Sequence, residues 1–128
     1  MTVQFYFTRI KTLLDRYAAL DFVLEITAHF DVRPGDQGFL SGVVIFNDQS
    51  VLYLREFLDT VNGVVEKIMY SYHYQTVDNT LIFRYDNAAH KPALLFRDHK
   101  HLAEQITKVR PPELEEVLAE IVVMRTWI

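Results

Sequence analysis

The dipeptide Asn62-Gly63 stands between "VLYLREFLDTV" and "VVEKIMYSYHYQ", two runs rich in β-branched and aromatic residues. That pair supplies the positive φ angles of a type I′ turn, so the flanking runs are held to an antiparallel hairpin. The same texture extends to both sides. In "DFVLEITAHFDVR" the even positions Phe22, Leu24, Ile26, Ala28, Phe30 and Val32 are apolar, and the odd positions are mostly polar, which describes a strand with one wet face. "RPGDQG" (33–38), "NDQS" (47–50) and "TVDN" (76–79) are turn sequences, and "FLSGVVIF" and "TLIFRYDN" are the strands between and after them. Five consecutive strands joined by short turns form a meander.

Helical periodicity brackets the strands. Val3, Tyr6, Phe7, Ile10, Leu13, Leu14 and Tyr17 recur at a spacing of three to four and predict an amphipathic helix over 3–19. Residues 88–110 read as irregular. Pro111-Pro112 then opens a last helix, with Glu113, Glu115 and Glu116 near its N-terminus and a stripe of Leu114, Val117, Leu118, Ile121 and Met124. The expected fold is therefore α+β: a five-stranded antiparallel meander with N-terminal and C-terminal helices packed on one face. The sheet is the large apolar surface on which both stripes can be buried.

With 128 residues, half of them apolar, the chain is read as a single folded domain, 1–128. The absence of cysteine removes disulfides, thiol nucleophiles and thiolate zinc sites, and fits a reducing cytoplasm. No signal peptide or membrane span is expected. A net charge of −4 argues against a nucleic-acid footprint over the whole surface. The charge is uneven, however. Residues 84–110 hold six cations and three anions plus His90, His99 and His101, whereas residues 20–83 hold three cations and nine anions.

Register decides which side chains meet. A two-residue turn at Asn62-Gly63 sets Glu56 opposite Met69, and pairing Gln75 with Thr80 sets Ser71 opposite Arg84 and His73 opposite Ile82. Glu56, Ser71, His73, Arg84 and Asp86 then share one face, and Tyr70, Tyr72, Phe83 and Tyr85 take the other as packing residues. Arg84 with Glu56 and Asp86 is either a surface ion network or an anion-binding arginine held by carboxylates. His29 is read as an exposed residue and His73 as a half-buried one.

His99 and His101 are two apart, so extended backbone points both one way and Lys100 the other. With His90 they form a three-nitrogen set suited to zinc, but Arg97 and Lys100 nearby oppose a cation. No metal and no cofactor are therefore assigned. The preferred chemistry is metal-free acid–base work by these histidines, with Arg84 and Lys100 holding a phosphate and Glu56, His73, Asp86 and Asn87 in support. No glycine-rich phosphate loop, H-E-x-x-H or G-x-S-x-G motif is present.

At "YSYHYQ", "LIFRYDNAAHKP" and "HKH" the chain resembles the TumE family of toxins from toxin–antitoxin pairs, over nearly its whole length. Tyr70, Tyr72 and His73 stand in that family's Y-x-Y-H element. Arg84, Asp86, Asn87, Ala88, His90 and Pro92 stand in its F-R-Y/W-D-N-A-P-H-H-P element, and His99, Lys100 and His101 in its H-K-H element. Ala89 and Lys91 depart from the proline and second histidine of that pattern, and the lost histidine weakens a metal site further. The resemblance implies a toxin neutralised by a co-encoded helix-turn-helix antitoxin, with ribonuclease action or interference with translation as its activity and RNA as a partner. The other reading left open is a non-catalytic interaction module, whose His-rich loop binds a protein partner or a metal, or closes a homodimer.

Overall fold

Thr2 begins the fold by capping the first helix: its hydroxyl accepts the Phe5 backbone N–H at 3.0 Å. The computed structural model describes residues 1–89 and 96–127. Its elements are α1 (Val3–Ala18), β1 (Val23–Arg33), β2 (Gln37–Phe46), β3 (Val51–Val61), β4 (Val64–Gln75), β5 (Leu81–Asp86), β6 (His99–His101), β7 (Ile106–Lys108) and α2 (Leu114–Met124). The strands lie side by side in chain order in one antiparallel sheet.

Five of these strands are the ones the alternation predicts. The segment 88–110, expected to be irregular, adds β6 and β7 to the meander, so among the described residues the sheet has seven strands and not five. Both additions are only three residues long, too short for a period-two pattern to register. Among the described residues no helix is long and apolar enough to cross a membrane.

Both helices cover the same face. Val3, Phe7, Ile10, Leu13 and Leu14 of α1 and Leu114, Val117, Leu118 and Ile121 of α2 join one core with Leu40, Val44, Leu52, Leu54, Leu58, Tyr70, Tyr72, Tyr74 and Phe83. Met124, assigned to the α2 stripe from its spacing, is exposed, and Val122 is buried instead. Helix α2 starts with a capping box, in which the Glu113 side chain meets the N3 backbone and the Glu116 side chain meets the Glu113 backbone N–H at 2.9 Å. Trp127 then stacks on Phe22 and Phe46, each at 5.1 Å between ring centres, and closes that end of the core.

Asn62 and Gly63 adopt φ of 52° and 76°, as a type I′ turn requires, and Val61 pairs with Val64. The register set there does not persist. Leu58 pairs with Lys67 but Phe57 pairs with Met69, which leaves Ile68 as the extra residue of a β-bulge. Beyond the bulge Glu56 lies opposite Tyr70, not Met69, and so faces the helices. At the other turn Gln75 pairs with Leu81, and a second irregularity sets Tyr74 against Phe83. His73 therefore meets Arg84, and Ser71 meets Asp86. This differs from the expected pairing by two residues, an even step that keeps these four side chains on one face.

Helix α1 is seated directly on β2 at Gly38. A Cβ there would lie 2.5 Å from Val3 Cγ1 and 2.8 Å from Phe7 Cζ, both parts of the packed core. Gly38→Ala is expected to lower stability by about 1–3 kcal/mol through overpacking, measured by denaturant unfolding. An unchanged midpoint would show that α1 does not sit this close to the sheet.

Candidate functional site

Asp86 ends β5 on the face that the helices leave uncovered. Its row across the sheet runs Ser41, Arg55, Ser71, Asp86, His99, Lys108, and the adjacent row runs Val43, Tyr53, His73, Arg84, His101, Ile106. Cross-strand neighbours in a row have adjacent side chains. The short ladder between β5 and β6 thus sets Arg84 beside His101 and Asp86 beside His99.

The buried Asp86 carboxylate is the hub. Its Oδ2 accepts the Arg84 Nε–H at 2.6 Å and lies 3.5 Å from His101 Nε2, while Oδ1 contacts His99 Nε2 and accepts the Ala88 backbone N–H at 3.3 Å. Burial, the largest influence on this carboxyl, pushes its pKa up. The Arg84 hydrogen bond, the neighbouring His99, the Arg84 charge and His101 together outweigh it, and the net effect is a lowered pKa. His99, 1% exposed, turns Nδ1 to the Arg97 carbonyl at 2.9 Å, so both of its ring nitrogens face acceptors. The His101 ring packs edge-on against it with centres 4.8 Å apart.

Arg84 is held from two sides. Its Nη1–H donates to His73 Nδ1 at 3.3 Å, and His73 Nε2–H donates to Gln75 Oε1 at 3.0 Å. This fixes a neutral His73 tautomer, because a guanidinium can only donate. Burial is the main cause of a lowered His73 pKa. The Gln75 bond opposes it and the Arg84 charge reinforces it. Among the described residues Arg84 Nη2 has no protein hydrogen-bond partner, and the side chain is 37% exposed. The result is a guanidinium held on two sides and partly exposed, with donor capacity left over among the described residues.

Of the expected site residues, Arg84, His99 and His101 come together, with Asp86 and His73 in support. His90 lies outside the described residues, as do Lys91 and Pro92. Lys100 points to the helix side, where it donates to Glu120 Oε2 at 2.6 Å and lies over the Phe83 and Tyr85 rings, so it cannot share a phosphate with Arg84. Asn87 serves the fold and clamps the bulge. Its Oδ1 accepts Tyr70 N–H at 3.1 Å, and its Nδ2–H donates to the Ile68 carbonyl at 3.0 Å.

Glu56 is the clearest correction, since it does not orient Arg84. On the helix side its carboxylate is fully buried and accepts the Tyr6 hydroxyl at 2.5 Å and the Tyr72 hydroxyl at 2.6 Å. Lys67, the neighbouring cation, donates to Tyr72 Oη at 2.9 Å and to the Pro112 carbonyl at 2.5 Å. Burial raises the Glu56 pKa against the opposing effects of Lys67, Tyr6 and Tyr72. A groove of about 670 Å³ lined by Tyr6, Arg9, Arg16, Glu113 and Glu115 also lies on this side, separated from the histidines by the sheet.

Tyr53, Arg55 and Phe57 share the uncovered face with the site, although nothing in the motifs of the sequence singles them out. A signal for them does exist in "VLYLREFLD": they alternate with Leu52, Leu54, Glu56 and Leu58, all of them buried.

The network around Glu56 has a testable pH signature. Its folded-state pKa lies above the unfolded value, so folding takes up a proton, and stability is lost as pH rises through the folded pKa. Wild type should gain stability relative to Glu56→Gln as pH is lowered through that raised value towards about 4.3, the ordinary glutamate pKa. Denaturant midpoints across that range measure the difference. Parallel curves for the two proteins would contradict a raised Glu56 pKa.

A family model described as toxin TumE matches residues 10–128 of the chain. No curated protein and no solved structure matches it.

Proposed function

The chain belongs to the TumE toxin family, and from that premise we propose that it is the toxin of a toxin–antitoxin pair, acting on RNA by metal-independent phosphodiester cleavage at the Arg84–His101 site. The family implies an antitoxin partner in general. That this partner is a co-encoded helix-turn-helix protein, and that the pair works in the cytoplasm, belong to the proposal.

The observation that carries the chemistry is the Arg84 guanidinium, pinned by Asp86 and His73 while its side chain stays 37% exposed. A fixed cation beside a phosphate stabilises charge developing on phosphorus without reorganising as the reaction proceeds. His101 beside it, its side chain 19% exposed and its Nε2 buried against Asp86, is the acid–base group of this reading. In the reaction a base takes the proton of the ribose 2′-hydroxyl, the 2′-oxygen bonds to phosphorus, the P–O5′ bond breaks, and the leaving oxygen takes up a proton. Asp86 and His99 act as positioning residues for Arg84 and His101.

A second reading rests on one feature of the same cluster. One ligand atom each from Asp86, His99 and His101 lies within 4.8 Å of the others, a two-histidine, one-carboxylate set suited to a first-row metal ion. Arg84 Nε, 2.6 Å from Asp86 Oδ2, weighs against it by holding a positive charge at the same carboxylate.

Induced expression with and without the neighbouring antitoxin gene tests the proposal. Arg84→Ala and His101→Ala should each abolish growth arrest, with RNA cleavage by the purified protein falling about 10²–10³-fold. Arrest that persists in both variants would exclude this site and favour an interaction module. Metal analysis of the purified protein separates the two chemistries. Stoichiometric zinc that disappears in His99→Ala would replace the metal-free reading with the metal one.

A further inference from the structure

The uncovered face extends well past Asp86. Tyr53 and His73 lie side by side with ring centres 6.3 Å apart, in the row that leads to Arg84 and His101. One row beyond Arg55, Phe39 and Phe57 are paired across β2 and β3 and flanked by Met69. The Arg33 guanidinium lies over both rings, at 5.4 and 5.9 Å, and that of Arg55 lies over Phe39 at 5.6 Å. Tyr53 and Met69 are 43% and 61% exposed, which is high for large side chains at the middle of a sheet.

We propose that this face is a platform for single-stranded RNA, with bases stacking on Tyr53 and on the Arg33 guanidinium that covers the Phe39–Phe57 pair, and phosphates tracked by Arg55 towards Arg84. The proposal rests on the RNA reading above and specifies its substrate. Exposed rings and planar guanidinium groups on an open sheet stack unpaired bases, whereas a duplex hides its base faces and offers mainly phosphates and grooves. Neighbouring strands stand about 4.8 Å apart, so Tyr53 is about 10 Å from Arg84, within one short oligonucleotide.

Charge points to the same ligand. The two central rows carry Arg55, Arg84 and Lys108 besides His73, His99 and His101, and their acid, Asp86, is buried and ion-paired. Elsewhere on this face Asp31 is paired with Arg33 at 3.0 Å, Asp59 accepts from Gln37 at 3.4 Å, and Glu25, Asp59 and Glu66 stand near the ends of their strands. The acidic balance of the chain lies off these rows, with Glu113, Glu115 and Glu116 at the α2 N-terminus. A second copy docked here would set two faces with the same cationic central rows against each other, which disfavours self-association through this face.

The test is fluorescence anisotropy with a labelled RNA of about 12 nucleotides, 2′-O-methylated so that cleavage cannot consume it. Wild type should bind the single strand and discriminate against the same strand annealed to its complement. Tyr53→Ala and Arg55→Ala should each weaken binding about tenfold, and Arg55→Ala should also reduce the slope of log K against log salt by about 0.7. Arg16→Ala, on exposed α1 across the sheet, should bind as wild type. Unchanged binding in both face variants would overturn the proposal, as would equal affinity for the duplex or displacement by poly-glutamate as readily as by unlabelled RNA. Sedimentation revealing a dimer that Tyr53→Ala dissociates would assign the face to a second copy. The two readings fail separately. RNA cleavage that survives Tyr53→Ala and Arg55→Ala sinks the platform alone, and arrest that survives Arg84→Ala and His101→Ala while Tyr53→Ala loses RNA sinks the chemistry alone.

Discussion

One extra residue in β4 decides which side chains meet across the sheet. Ile68 interrupts the pairing with β3, and the Asn87 side chain meets the backbone there, accepting from Tyr70 and donating to the Ile68 carbonyl. Because side chains alternate along a strand, a one-residue offset exchanges the faces of one strand relative to its neighbour. With the bulge, Glu56 joins Tyr70 and Tyr72 beneath the helices. Without it, a carboxylate would stand beside Ser71 on the face that carries the proposed chemistry. The clamp comes from the residue next to Asp86, so the same short segment holds both the bulge and the hub of the site.

The two faces use similar groups to opposite ends. Beneath the helices, Glu56, Tyr6, Tyr72 and Lys67 tie α1, β3, β4 and the entry to α2 into one buried network. Its polar atoms are turned inward and hydrogen-bonded to one another, which suits a structural role. On the uncovered face Asp86 is equally enclosed, but its partner Arg84 reaches the surface and His101 is partly exposed. A buried carboxylate beneath a partly exposed guanidinium holds that cation in one orientation. Lys100 shows how finely the division runs: it stands between His99 and His101 in the chain yet pairs with Glu120 of α2 on the other side.

Much of this was legible in residue order. The 3–4 spacing from Val3 to Leu14 marked α1, and Asn62-Gly63 marked the central hairpin. Alternation in β3 to β5 placed Ser71, His73, Arg84 and Asp86 together even though the pairing differs by two residues. The spacing of His99 and His101 correctly set them on one side with Lys100 opposite. Glu56 was misplaced because nothing in "VEKIMYSY" distinguishes a bulge from continuous alternation. The strands β6 and β7 were missed because three residues carry too little pattern. At the start of β1 an irregularity at Leu24 turns that residue outward, and alternation alone would have buried it.

The sequence by itself determined the elements, the order of the meander and the residue types that gather near its end, because periodicity and turn chemistry are local. Only the tertiary structure decided that Arg84 is gripped by Asp86 and His73, that Glu56 belongs to the core, and that a ring-and-arginine surface adjoins the histidines. Those relations depend on register across four strands and on which face the two helices cover. Register accumulates every bulge between one strand and the next, and a single residue is enough to change which side chains meet.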